Sequence, residues 1–152
     1  MIAILFAFTT SAQNPIFEKG NIAINAGLGV DFIGLPFEVS CIYGIVDDLF
    51  RVDGLNLGVG GYLGFSTFSI YGFSVHPGVR GEVHYSIVDK LDFFGGALIE
   101  YNYLKNRPRY GLFGLYTGLY VGAKYFITDN FGFYASTGYG MTYVSAGIAL
   151  QF

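Results

Sequence analysis

The chain has 152 residues, enough for one domain built on one closed sheet. It is 53% hydrophobic and only 12% charged, against roughly 25% charged in ordinary soluble domains, and its net charge of -3 leaves no basic field for nucleic acid. Cys41 is alone, which excludes an intrachain disulfide and a CxxC metal site; it reads as a small apolar strand residue.

No stretch supplies the ~20 apolar residues of a membrane-spanning helix. The longest clean apolar run is residues 1–8. An apolar chain with 13 Tyr, 16 Phe and 23 Gly but no spanning helix has one other route across a bilayer, a closed β-barrel.

Residues 2–9 (IAILFAFT) lead into Thr10, Ser11, Ala12 and Gln13, an apolar core ending in small residues. That is the shape of a secretory signal, with Thr10 and Ala12 at the positions a signal peptidase reads and cleavage expected after Ala12 or one residue later. The signal is taken as residues 1–12, with its basic start missing, and residues 13–20 as a short polar periplasmic lead-in. The barrel is expected to occupy 21–152.

From there the chain alternates with period two, as strands do; in a membrane barrel apolar side chains point out and polar or small ones in. Strand one, Asn21 to Asp31, puts Ile22, Ile24, Ala26, Leu28 and Val30 on one face, and Ala23, Asn25, Gly27, Gly29 and Asp31 on the other. A tight link through Gly34 and Pro36 leads to strand two, with Phe37, Val39, Cys41, Tyr43 and Ile45 outward and Glu38, Ser40 and Gly44 inward; Ile42 is an inward exception. After a polar turn (Asp47, Asp48, Arg51, Asp53, Gly54), strand three alternates outward Leu55, Leu57, Val59, Leu63 and Phe65 with inward Asn56, Gly58, Gly60, Tyr62, Gly64 and Ser66.

Strand four, Phe73 to Ile87, is the sharpest. Ser74, His76, Gly78, Arg80, Glu82, His84 and Ser86 share the inward parity, while Val75, Val79, Val83, Tyr85 and Ile87 face out. Pro77 removes a ladder donor on the outward side, so a bulge or strand end is expected there. Past the Asp89–Lys90 turn, strand five sends Leu91, Phe93, Ala97, Ile99, Tyr101 and Tyr103 out with Glu100 and Asn102 in, although Phe94 and Leu98 weaken its alternation. The loop Lys105 to Arg109 (KNRPR) is the most basic. Strand six (Phe113 to Tyr125) carries inward Tyr116, Tyr120 and Lys124, strand seven (Phe131 to Tyr139) inward Tyr134, and strand eight runs from Tyr143 to Phe152.

The pattern therefore predicts an all-β fold, an eight-stranded antiparallel up-and-down transmembrane β-barrel. Within the strands Glu38, Arg80, Glu82, Glu100 and Lys124 all take the inward parity. An outward charge at mid-bilayer would cost roughly 2–4 kcal/mol. A soluble lipocalin-like binder of apolar ligands would invert the pattern, with charges outside. Aromatic residues gather at both ends of the outward faces, as two interfacial girdles would. An even strand number puts both chain ends on one side, taken as periplasmic, and the basic loop on the other.

The last residues, Ser145 to Phe152, resemble the C-terminal assembly signal of bacterial outer-membrane barrels through Gly147, Ile148, Leu150 and Phe152. With the export signal and the eight-strand pattern, residues 20–152 resemble the small outer-membrane β-barrel family of the OmpX and opacity-protein type. The resemblance implies export in a Gram-negative bacterium, insertion by the barrel-assembly machinery, and structural, adhesive or narrow, porin-like pore roles. The outer loops look shorter than the family's, which speaks against adhesion.

Glu38, Arg80, Glu82, His84, Glu100 and Lys124 are expected to pair inside a lumen that eight strands leave just wide enough for side chains; a gated ion path is the alternative. His76 and His84 lie about 26 Å apart at ~3.3 Å per residue, too far to share a metal ion. Enzymes on such a scaffold need a nucleophile, base and acid together near the outer rim, and only Ser74 with His76 approaches that. Lys105, Arg107 and Arg109 are candidates for contact with lipopolysaccharide phosphates. The expectation is an outer-membrane protein with no cofactor, no metal and no catalysis, in contact with outer-membrane lipid.

Overall fold

The computed structural model describes residues 16–30, 35–69, 72–104, 114–139 and 142–152. The export signal with its cleavage site, Asp31, Gly34, the basic residues Lys105, Arg107 and Arg109, and Phe113 lie outside the described residues.

The alternation becomes a ladder of antiparallel strands: β1 (Ile22–Val30), β2 (Pro36–Val46), β3 (Leu55–Ser69), β4 (Gly72–Val88), β5 (Leu91–Tyr101), β6 (Tyr103–Leu104), β7 (Leu115–Phe126), β8 (Phe131–Tyr139) and β9 (Val144–Gln151). β6 only prolongs β5 past Asn102, so eight strands surround the lumen. The sheet closes on itself. β1 pairs with β9 from Ala23↔Gln151 to Val30↔Val144, and β3 pairs with β4. Among the described residues each of the eight long strands has a hydrogen-bonded neighbour on both sides, the condition for backbone to cross a bilayer without helices.

Period two sets the two faces. In β1 Ala23, Asn25, Gly27 and Gly29 are buried inside while Ile22, Leu28 and Val30 are exposed outside. Charged residues in the strands are buried: Glu38, Arg80, Glu82, Asp92, Glu100 and Lys124. The exposed side carries Val59, Leu63, Val79, Ile99, Leu119 and Val121, with Tyr43, Tyr125 and Phe133 toward one rim and Phe37, Tyr101 and Tyr139 toward the other. Phe94 and Leu98, which blur the alternation of β5, point inward and form a buried cluster with Tyr120, Phe126, Tyr134 and Ala149.

Inward glycines make room for rings from neighbouring strands. A Cβ on Gly27 would lie 2.3 Å from the Tyr134 hydroxyl, and one on Gly122 2.5 Å from Phe94.

Pro77 corrects one expectation. The β3–β4 register runs through it without a shift, from Tyr62↔Gly78 to Gly64↔His76, so β4 neither bulges nor ends there. The interruption falls on its other neighbour: the ladder to β5 stops at Gly78↔Glu100 and resumes with Val75↔Tyr103, in the same register. The missing N–H of Pro77 therefore weakens the partner strand around Asn102. Register shifts occur instead between Gly44/Val46, Ser66/Ser69 and Ser86/Val88, near strand ends. The β2–β3 link contains a short 3-10 turn at Leu49–Arg51 with left-handed Asp48, Phe50 and Arg51, and Asp48 Oδ1 accepts the Gly54 N–H at 2.9 Å.

Candidate functional site

The lumen holds three tiers of polar side chains, stacked from the mouth at which β1 starts and β9 ends to the opposite mouth. Their order follows from β4, which contributes His84 and Glu82, then Arg80, then His76 and Ser74, at every second position along one face.

In the middle tier Arg80 Nη2 lies 3.1 Å from Glu38 Oε2, and Nη1 lies 4.0 Å from Glu82 Oε1. The guanidinium is sandwiched between the rings of Tyr62 and Tyr120, its Cζ 4.0 Å and 4.7 Å from their centroids. Glu38 Oε1 also accepts the hydroxyls of Tyr134 and Ser145, each at 2.8 Å. This one carboxylate thereby ties β2 to β4, β8 and β9 across the lumen. A buried ion pair stabilises only when its remaining hydrogen-bonding capacity is met; here three donors converge on Glu38.

Nearer the start of β1, Glu82 is fully buried between Tyr120, whose hydroxyl donates to Oε1 at 2.9 Å, and His84, whose Nε2 lies 3.2 Å from Oε2. His84 Nδ1 lies 2.7 Å from Asp92 Oδ2. The ring thus lies between two buried carboxylates. Lys124 Nζ is 3.8 Å from Glu82 Oε2 and 4.9 Å from the Phe94 centroid.

At the opposite mouth His76 Nε2 faces Ser74 Oγ at 3.1 Å, and its Nδ1 lies 3.6 Å from Glu100 Oε1. A hydroxyl on one ring nitrogen and a carboxylate on the other is the order of contacts of a hydrolytic relay. Ser74 is only 4% exposed.

The structure thus brings together Arg80 with Glu38 and Glu82, and Glu82 with His84 and Lys124; it holds Glu100 apart, with His76. Asp92 belongs to the network although the sequence reading passed over it. It follows the Asp89–Lys90 turn so closely that it reads as a turn charge, yet its even parity with Phe94 and Glu100 was the available signal. Phe17 was also missed: it is 1% exposed, its ring stacked on His84 at 4.0 Å between centroids. No periodic signal marks it, because it precedes the first strand. Among the described residues no cluster of three or more His, Cys, Asp or Glu is placed to hold a metal ion.

Gly147, Ile148, Leu150 and Phe152 lie along β9 and its end. Gly147 packs against Ala26 and Gly27, where a Cβ would lie 2.1 Å from the Ala26 carbonyl oxygen, and Phe152 exchanges two backbone hydrogen bonds with Ile22 at 2.8 and 3.0 Å.

A closed barrel of this fold has solved counterparts. A de novo designed transmembrane β-barrel superposes with a TM-score of 0.68 at 18% identity, covering 90% of this chain and 98% of the design. The fold is that of an eight-stranded transmembrane β-barrel. The outer membrane protein Ail of Yersinia pestis, solved in a phospholipid bilayer nanodisc, is similar at a TM-score of 0.53 and 16% identity, covering 88% of this chain and all of that one. No protein-family model and no curated protein matches the chain.

Proposed function

We propose that the chain is a small integral protein of the bacterial outer membrane, of the OmpX and opacity-protein type. Its role is structural or surface-interacting, its lumen is filled by polar side chains, and it catalyses nothing. The observation that carries this reading is the segregation of charge. Every charged residue in the middle of a described strand is buried in the lumen, while the outward face is a band of exposed Val, Leu and Ile. Water would reverse that arrangement; a hydrocarbon surround accounts for it. In this reading residues 1–12 direct export, the Gly147–Phe152 end is recognised by the barrel-assembly machinery, and Lys105, Arg107 and Arg109 meet lipopolysaccharide phosphates.

The test is fractionation followed by electrophysiology. The protein is expected in outer membranes, extracted by detergent but not by salt, and to run with a heat-dependent mobility on gels. The refolded barrel in a planar bilayer is expected to be silent, because Arg80, Tyr62 and Tyr120 block the middle of the lumen. Reproducible conductance steps whose ion selectivity changes with Glu82→Gln or Lys124→Gln would refute the filled lumen and leave a narrow channel. Recovery in a soluble fraction would refute the membrane reading.

A further inference from the structure

The five residues ahead of β1 do more than lead into it. Ile16–Gly20 folds back into the mouth at which β1 starts and β9 ends, and the barrel wall there is shaped to receive it. The Asn56 side-chain amide donates to the Phe17 carbonyl, and the Gln151 amide donates to that of Ile16. Ser86 Oγ accepts the Ile16 N–H at 3.0 Å, and Gly20 N–H reaches the Gly44 carbonyl at 3.0 Å. Two inward wall positions lack side chains where the segment passes. A Cβ at Gly44 would lie 2.1 Å from the Glu18 carbonyl oxygen, and one at Gly58 2.9 Å from the Phe17 ring. The ring itself lies against Ala23 and Ile42, stacks on His84 and has Lys124 Nζ 5.9 Å from its centroid.

We propose that this end of the lumen is a socket for an aromatic residue carried on a short turn, and that Ile16–Gly20 is its built-in, removable occupant, a stopper with Phe17 as the plug. The wall and the plug match in shape, in hydrogen-bond polarity and in their aromatic and cationic contacts. Removal leaves the barrel whole, because closure runs through the β1–β9 ladder and none of that ladder passes through residues 16–20. Removal exposes the small apolar contact with Ala23 and Ile42, but most of what it uncovers is polar: Asn56, Ser86, Gln151, His84 and Lys124 exchange contacts with the stopper for contacts with water. Glu18, Lys19 and Gly20 are exposed, and the segment is held there only by rim hydrogen bonds, from Lys19 N–H to Asp47 and from Gly20 N–H to Gly44. Water admitted this way would reach the Glu82–His84–Asp92 tier and stop at the Arg80 tier. The stopper therefore controls access to the charged lumen without opening a pore, and this holds in whichever membrane the barrel resides.

Thiol accessibility in the refolded full barrel tests this. In a Cys41→Ser background, Ala23→Cys places a reporter beneath Phe17, and Ser74→Cys places a separate one at the far mouth. Each is reacted with a small cationic methanethiosulfonate in lipid vesicles, and folding is verified by heat-dependent mobility. Phe17→Ala is expected to speed labelling at position 23 at least tenfold and to leave position 74 unchanged. No change at 23, or an equal rise at both positions, would overturn the stopper; the second result would make Phe17 a general core pillar. Removability is tested by locking. Lys19 N–H donates to Asp47 Oδ1 across the rim, so the Lys19→Cys/Asp47→Cys pair can be oxidised to pin the segment. Oxidation is expected to slow labelling at 23 tenfold relative to the reduced form; equal rates in the two forms would show a fixed segment and overturn the proposal.

Discussion

Glu38 is the side chain on which the middle of the lumen depends, and its truncation has a magnitude that follows from its contacts. Glu38→Ala removes the 3.1 Å partner of Arg80 and leaves the guanidinium with Glu82 at 4.0 Å. Removing one member of a buried ion pair costs ~3–5 kcal/mol. The hydroxyls of Tyr134 and Ser145 lose their acceptor as well, but they can turn toward each other or toward water, and the terms overlap. The net expectation is about 4 kcal/mol, a large part of the ~5–15 kcal/mol that holds a typical domain. Glu38→Gln keeps the shape and one acceptor and should lose about 2 kcal/mol.

The double variant Glu38→Leu/Arg80→Met removes both charges together. It should lose no more than about 1.5 kcal/mol, because no uncompensated charge stays behind. The chain has no Trp, so urea titrations in lipid vesicles are best followed by the fraction of protein with folded mobility on unheated gels. If Glu38→Ala falls within about 0.5 kcal/mol of the parent, or if the double variant is as unstable as the sum of the two single variants, the ion-paired lumen is not what stabilises the barrel.

Three further outcomes follow from the geometry. Val121, 60% exposed in the middle of β7, should tolerate Arg poorly: about 2–4 kcal/mol lost in bilayers, read from the same titrations, with a near-neutral result placing this face away from hydrocarbon. Gly27→Ala forces a Cβ against the Tyr134 hydroxyl at 2.3 Å and the Ala146 carbonyl oxygen at 2.6 Å and should lose about 1–3 kcal/mol. Gly81→Ala, with nothing within 4 Å, is its control and should stay within about 0.5 kcal/mol. Phe152→Ala preserves both backbone hydrogen bonds to Ile22, so its stability in vitro should fall by less than about 1 kcal/mol. Its yield of assembled barrel in cells should fall severalfold; unchanged yield would remove the assembly role from the terminal aromatic.

Much of this protein is written in its parity. Any strand with one lipid face and one lumen face must alternate, and a charge on the wrong face is expensive. The even positions of β4 therefore announce Arg80, Glu82 and His84 as lumen residues, and the odd positions of β7 announce a lipid face. Strand number, antiparallel order and the inward set were legible for that reason. The partners were not. Period two says that Glu38 and Arg80 both point inward, but only the stagger of the closed ladder brings them within 3.1 Å while holding Glu100 to His76. Pro77 shows the same limit: a missing N–H is visible in the sequence, but which neighbouring strand loses the bond depends on the side to which that position points. Phe17 lies before any periodic element, so no local pattern marked it. Its place was decided by tertiary pairing: the β2–β3 ladder sets Gly44 against Gly58 beside Asn56, and closure of β1 on β9 brings Gln151, far away in sequence, to the same mouth.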